Sequence, residues 1–237
     1  MTTSGLSTFN LEFTDLAEEA WERCGSELRD GYSLRTTRRS LNLLTIEWAN
    51  RGINLWTVEQ GAIPLVTGQA TYDLPNDTID LLDHVIRTGT GQNQTDINIS
   101  RIAEPTYAVI PNKNALARPI QVWVQRLSGA TYPTVGVVNP KIHVWPTPND
   151  PGSQYTFVYW RLRRIQDVGG GTSTQDIPFR FLNCMVAGLA YYMSMKIAGV
   201  DTNRMMALKM DYEQQLQLAM DEDREKAPVR FIPRIVR

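Results

Sequence analysis

Two histidines and two cysteines are the side chains of this sequence best suited to metal binding or nucleophilic catalysis. His84 and His143 lie in segments with strand-like alternation, and neither has a Cys, Asp or Glu at a spacing typical of a metal site. Cys24 and Cys184 lie on the apolar faces of predicted helices, whereas a reactive thiolate needs a positive, partly exposed setting. We therefore predict no metal site, no cysteine nucleophile and no cofactor.

Other signatures of catalysis are also missing from the sequence. No GxSxG motif occurs, and the glycine run at 169–171 lacks the lysine that follows in a phosphate-binding loop. The 25 Asp and Glu residues are scattered along the chain, so no pair stands out for hydrolytic chemistry. We predict that the protein is not an enzyme.

Three groups of arginines could contact phosphates or acidic partners. They are Arg35, Arg38 and Arg39; Arg161, Arg163 and Arg164; and Arg230, Arg234 and Arg237. The first two groups are better explained as solvated faces or as salt bridges between subunits. The net charge is -1, so the chain as a whole has no electrostatic attraction to nucleic acid or to an anionic membrane. Tight binding of DNA is not predicted.

The third group lies in a C-terminal tail, 227–237, that is both basic and apolar. Two prolines prevent a helix there, so we expect an extended arm. A free end gains nothing by exposing large apolar side chains, yet this tail places Phe231, Ile232, Ile235 and Val236 between its arginines. We predict that the arm binds a groove or adds a strand to a partner's sheet, the alternative being that it folds back on its own subunit.

The elements that position these residues follow from the periodicity of the sequence. Apolar residues recur at steps of three and four near both ends of the chain, and alternation with frequent turn residues dominates the middle. We predict an α+β protein in which an N-terminal and a C-terminal helical hairpin form one four-helix bundle, with a β-rich antiparallel insertion. The predicted bundle core is Leu16, Trp21, Leu41, Leu44, Trp48, Leu182, Val186, Leu189, Met193, Leu208 and Tyr212.

Three domains or segments are expected from this pattern. The helical domain comprises 1–54 and 175–226, the β-rich insertion comprises 55–174, and the extended arm comprises 227–237. An apolar fraction of 42% fits a folded globular chain. The most apolar segment, 179–200, is interrupted by polar residues and predicts no membrane span.

Four segments resemble one known family. They are RSLNLLTIEWANRGINLW at 39–56, VTGQATYDLP at 66–75, YTFVYW at 155–160, and the Asp176-Ile177-Pro178 entry into a long helix. A helix ending in tryptophan and glycine, followed by a strand and a G-x-x-x-Y-x-L-P turn, is similar to the head-to-tail adaptors of short-tailed bacteriophages. Members of that family are called tail accessory factors, gatekeepers or tail tubular protein A.

The resemblance implies a structural virion protein in the neck. The expected assembly is a twelvefold ring between the portal protein and a tail nozzle or other tail protein, with a channel through which double-stranded DNA passes. It also implies that the helical domain packs between neighbouring copies and that the arm contacts the portal. We expect assembly in the host cytoplasm and no membrane contact.

Two alternatives stay open at this point. A wall-degrading hydrolase carried in the virion would need a cleft with clustered carboxylates of shifted pKa. A tail-tube or capsid-decoration subunit would self-assemble without a portal.

Overall fold

The computed structural model describes residues 4–53, 55–149, 155–170 and 172–224. Among these residues the chain is α+β, with five helices and ten strands in three sheets. The helices are α1 (Phe13–Cys24), α2 (Gly31–Asn50), α3 (Glu104–Ala108), α4 (Leu182–Ser194) and α5 (Thr202–Glu222). The strands are β1 (Val58–Pro64), β2 (Thr71–Asp73), β3 (Thr78–Thr88), β4 (Thr95–Asn98), β5 (Ser100–Ile102), β6 (Gln121–Gln125), β7 (Thr131–Tyr132), β8 (Gly136–Val137), β9 (Lys141–Trp145) and β10 (Tyr155–Arg163).

The chain divides into two compact units. Unit 1 contains the described residues up to Trp56 and from Ile165 onward, and unit 2 is Thr57–Arg164. The domains predicted from sequence, 1–54 with 175–226 and 55–174, stay a prediction, since compactness alone does not show that a segment folds by itself. The predicted arm at 227–237 lies outside the described residues.

Helix α4 is the centre of unit 1. Ten of its residues are buried: Leu182, Cys184, Met185, Val186, Ala187, Gly188, Leu189, Ala190, Met193 and Ser194. A helix that is apolar around most of its circumference must be covered on several sides. Helices α1, α2 and α5 all pack against α4. Gly188 permits the closest approach, because a Cβ there would lie 2.8 Å from Tyr212 Cε2 and 2.9 Å from Leu44 Cδ2.

The predicted four-helix bundle of two helical hairpins is therefore wrong. Helices α1 and α2 make their main contacts with α4 and fewer with each other, so the N-terminal pair does not form the predicted hairpin, whereas α4 and α5 pack extensively against each other. The physical reason is that periodicity shows which face of a helix is buried, but not which element covers it. The middle of the chain is also more than an insertion, since its sheets contain all ten described strands.

The eleven predicted core residues fall into three groups according to their burial in unit 1. Nine of them lie in one buried apolar cluster, Trp21 packs against that cluster while partly exposed, and Leu182 is buried outside it. The nine are Leu16, Leu41, Leu44, Trp48, Val186, Leu189, Met193, Leu208 and Tyr212.

Unit 2 is built on two four-stranded sheets with the orders β1-β10-β3-β4 and β2-β9-β6-β5. Buried side chains of both sheets form one apolar cluster, which includes Ile86, Val122, Ile142 and Phe157. All pairings within these sheets are antiparallel except β5 with β6, which is parallel. Strand β1 pairs with β10, so the first and last strands of unit 2 are neighbours. The strands were thus correctly expected to be mainly antiparallel.

The stability of unit 1 is expected to depend on pH through Tyr192 on α4. Its hydroxyl donates to Glu47 Oε2 at 2.7 Å, and burial, followed by this hydrogen bond, raises the pKa of Tyr192 to about 12. A raised phenol pKa contributes stability that is complete below the unfolded pKa of about 10 and is lost as pH rises through the folded pKa. We expect the advantage of the wild type over Tyr192→Phe to decline between pH 10 and about 12. Urea unfolding across that range measures it, and a constant difference contradicts it.

Candidate assembly surface

The cysteines are placed where a nucleophile is not expected. Cys24 and Cys184 are free and buried. Burial raises the pKa of Cys24 to about 11 and that of Cys184 to about 12. Both groups are therefore thiols at neutral pH, and Cys24 Sγ lies 3.2 Å from the Ala190 carbonyl oxygen, to which it donates. They contribute to the packing of α1 and α4.

The two histidines are held within the sheets of unit 2. His143 lies between Thr71 Oγ1 at 3.0 Å and Gln125 Oε1 at 3.1 Å, and its ring stacks on Trp123 at 4.5 Å. His84 stacks on Phe157, and burial lowers its pKa. Among the described residues no group of three or more His, Cys, Asp and Glu side chains could hold a metal ion. The structure thus places these rings as parts of aromatic clusters.

Two arginines of the second group are paired with carboxylates of their own unit. Arg161, only 11% exposed, contacts Glu59 Oε2 at 2.8 Å and also pairs with Asp77. Arg163 contacts Glu59 Oε1 at 2.5 Å. Because their charges are satisfied within β1, β10 and the turn before β3, Arg161 and Arg163 have little charge left for DNA. These salt bridges lie within one subunit, whereas the sequence predicted solvated faces or salt bridges between subunits.

Asp30 and Asp96 each have a pKa that is shifted downward. The backbone N–H of Ser33 lowers the pKa of Asp30, the residue that caps α2. The guanidinium of Arg87 lowers the pKa of Asp96 through a hydrogen bond. A general acid requires a shift in the opposite direction. These two carboxylates are thus placed to cap a helix and to form an ion pair across strands.

The first arginine group lies on an exposed face of α2. Tyr32, Arg35, Arg39, Leu43 and Ile46 follow one another at steps of three and four, and all are exposed. Such spacing places them along one side of the helix, opposite the face that packs on α4. We refer to these five residues as the α2 stripe; it is basic in its first half and apolar in its second. Leu43 is 50% exposed and Ile46 is 41% exposed, so the second half of the stripe presents two large apolar side chains next to each other on the surface.

A cavity of about 530 Å³ lies beside the stripe. Its lining includes Trp21, Tyr32, Thr36, Arg39 and Lys196. The Thr36 hydroxyl oxygen is buried and has no hydrogen-bond partner among the described residues. Burial, followed by the nearby charge of Arg39, lowers the pKa of Lys196. The cavity is thus a positive site with a free hydroxyl, suited to an anionic group.

A groove of about 430 Å³ lies between α1 and α4 and has the opposite charge. Four acidic residues of α1 line it, together with one arginine: Asp15, Glu18, Glu19, Glu22 and Arg23. Its apolar lining includes Phe9, Leu11, Leu182 and Val186. We refer to this feature as the α1–α4 groove.

The charges of the α1–α4 groove are only partly neutralised. Arg23 pairs with Glu19 at 2.9 Å and with Asp211 at 3.5 Å. Glu18 and Glu22 are exposed and have no ion pair among the residues that the structure describes. The groove therefore offers two unpaired carboxylates next to apolar side chains.

Sequence reasoning found the arginines of the α2 stripe but neither its exposed apolar residues nor the α1–α4 groove. The outer residues Leu43 and Ile46 share a short segment with the inner residues Leu41 and Leu44, and only the inner pair was assigned a role. Examining the residues of the outer face of α2, as well as those of its inner face, could have revealed the stripe. The predicted portal-binding residues Arg230, Phe231, Ile232, Arg234, Ile235, Val236 and Arg237 lie outside the described residues.

An α+β protein with a basic apolar stripe and an acidic apolar groove has the features of a structural protein that works through contacts with other proteins. A family comparison specifies the class. Residues 12–232 match the SU10 adaptor protein family, which covers most of the chain, and the chain therefore belongs to that family of phage head-to-tail adaptors. The family resemblance found in the sequence is confirmed. A search of curated proteins found no match.

Family membership gives the protein a structural role in the phage virion. Adaptors are neck components, so the protein associates with other proteins of the neck or tail. Among the described helices, none has the length and apolar character needed to cross a lipid bilayer.

Proposed function

We propose that the protein forms a ring between the portal and the tail and continues the channel for double-stranded DNA. Membership of the adaptor family carries this proposal. A twelvefold ring, as the sequence resemblance implies, needs a contact that repeats from copy to copy. Unit 1 has two exposed surfaces of unlike charge that are suited to such a contact.

The arm at 227–237 is the proposed contact with the portal. It combines Arg230, Arg234 and Arg237 with four large apolar residues. Backbone hydrogen bonds of an extended segment provide affinity, and alternating side chains fix its register on a partner.

Unit 2 is the proposed contact with the tail nozzle or another tail protein. DNA passes through the ring without tight or sequence-specific binding. A net charge of -1 supports this, because a strongly basic channel would retain the genome through release of counterions. The pairing of Arg161 and Arg163 with carboxylates supports it as well. Assembly takes place in the host cytoplasm.

Reconstitution with purified portal rings tests the proposed function. Electron microscopy is expected to show a second ring stacked on the portal, and native mass spectrometry is expected to give twelve added copies. Rings that form without portal and do not bind it would indicate a tail-tube or decoration subunit. Clearing of cell-wall polymer in a zymogram would indicate a hydrolase.

A further inference from the structure

The α2 stripe and the α1–α4 groove complement each other and do not complement themselves. A two-fold contact between two stripes would bring Arg35 and Arg39 close to the same arginines of the partner. Like charges in contact oppose association, whereas opposite charges favour it. A contact between two different surfaces of identical subunits is heterologous, and it generates a ring when the rotation between copies closes.

The stripe offers groups that an acidic surface can satisfy. Arg35 has no ion pair among the described residues, and Arg39 lines the positive cavity. A glutamate entering this cavity can accept from the Arg39 guanidinium. Hydrogen bonds in which both groups are charged are the stronger ones.

The groove offers the matching groups. Glu18 and Glu22 are separated by four residues, so they lie one turn apart on the exposed side of α1. Arg35 and Arg39 of the stripe have the same separation. Phe9 of the groove, 76% exposed, can cover Leu43 or Ile46 of the stripe. Each charged pair thus has an apolar contact beside it.

We propose that the α2 stripe of one copy binds the α1–α4 groove of the next copy. The proposal rests on the proposed function, because it names the contact that joins neighbouring subunits of the ring. The partner is a second copy of this chain, since that copy presents the opposite charge and the matching apolar side chains.

Two charge-reversal variants test the contact. The stripe variant is Arg35→Glu with Arg39→Glu, and the groove variant is Glu18→Arg with Glu22→Arg. Each alone is expected to bring like charges together and to weaken self-association at least tenfold in sedimentation, and to abolish rings on portal. A matched control for the stripe variant, Arg118→Glu with Arg126→Glu, makes the same change in net charge on unit 2 and is expected to assemble like the wild type.

Mixing the two variants separates a lost contact from a lost fold. In the mixture, each reversed stripe meets a reversed groove, and each native stripe meets a native groove. Rings are expected to return, and native mass spectrometry is expected to find equal numbers of the two variants. A single chain with all four changes is expected to assemble again by itself.

Several results would overturn the proposal. One is normal rings from either variant alone, and another is a mixture that stays unassembled although both variants are folded by circular dichroism. A third is a stripe variant that forms normal rings but binds a DNA duplex less well than the wild type at low salt. That result would indicate that Arg35 and Arg39 contact DNA, and it would contradict the proposed contact between subunits without contradicting the ring. A wild type that forms no ring with portal would instead overturn the proposed function, and this contact with it.

Discussion

Deleting residues 227–237 is expected to abolish binding to the portal while unit 1 and unit 2 stay folded. The deleted segment contains the apolar residues and arginines that form the proposed arm, and it lies beyond α5, which ends at Glu222. The stripe and the groove are unchanged by the deletion, so self-association of the subunits is expected to persist. Binding to immobilised portal rings measures the effect.

Two variants with substitutions in the arm separate the contribution of its apolar residues to portal binding from that of its arginines. In the first, Phe231, Ile232, Ile235 and Val236 become serine while the arginines stay; in the second, the three arginines become serine. If the arm adds a strand or fills a groove, the first is expected to lose binding even at low salt. The second is expected to bind more weakly than the wild type and with little dependence on salt, because the charges that salt would screen have been removed. Undiminished binding of the deletion variant would contradict the arm hypothesis.

Replacing Trp48 by alanine is expected to destabilise unit 1 by about 3 to 5 kcal/mol. Trp48 is fully buried, its ring centroid lies 6.0 Å from that of Phe181, and its Nε1 donates to the Tyr212 hydroxyl at 3.2 Å. The change creates a cavity beside α4 and leaves the Tyr212 hydroxyl without this donor. Urea unfolding followed by the helical circular-dichroism signal gives the free energy of unfolding.

Two control substitutions separate the effect of the lost packing, the effect of the lost hydrogen bond and any effect of removing a tryptophan elsewhere. Trp48→Phe keeps most of the ring and loses the N–H donor, so its expected cost is about 1 to 3 kcal/mol. Trp145→Ala removes an indole that is half-buried on unit 2 and donates to the Asn112 carbonyl oxygen, and its expected effect on the helical signal is small. An equal loss from Trp48→Ala and Trp145→Ala would contradict the central role of Trp48.

The approximate positions of the helices and some of their ends are predictable because the signals are local. Gly25 ends α1 with φ of 78°, and the Asp201 side chain accepts from the Asn203 N–H at the start of α5. The arrangement of the helices was not predictable in this way. One sign was present: α4 is apolar on nearly all sides, which indicates a helix covered by several others.

The sheets and the candidate surface depend on contacts between distant residues. Val58 of β1 pairs with Leu162 of β10, and no local pattern specifies that register. The α1–α4 groove combines α1 with residues such as Leu182, which follow more than a hundred positions later. Its acidic half is visible in the sequence as Glu18, Glu19 and Glu22. Its apolar half becomes visible only when α4 packs against α1.

The division of unit 1 into two separate stretches of chain affects how the protein is made. Helices α1 and α2 leave the ribosome first, but their buried faces are covered by α4, which begins at Leu182. At ordinary rates of synthesis the delay is on the order of ten seconds. During that time the apolar faces around Leu16 and Leu44 are exposed to other nascent chains, whereas β1 and its partner β10 both lie within Thr57–Arg164 and have already been synthesised. Biogenesis therefore favours a host chaperone that shields the first two helices until translation is complete.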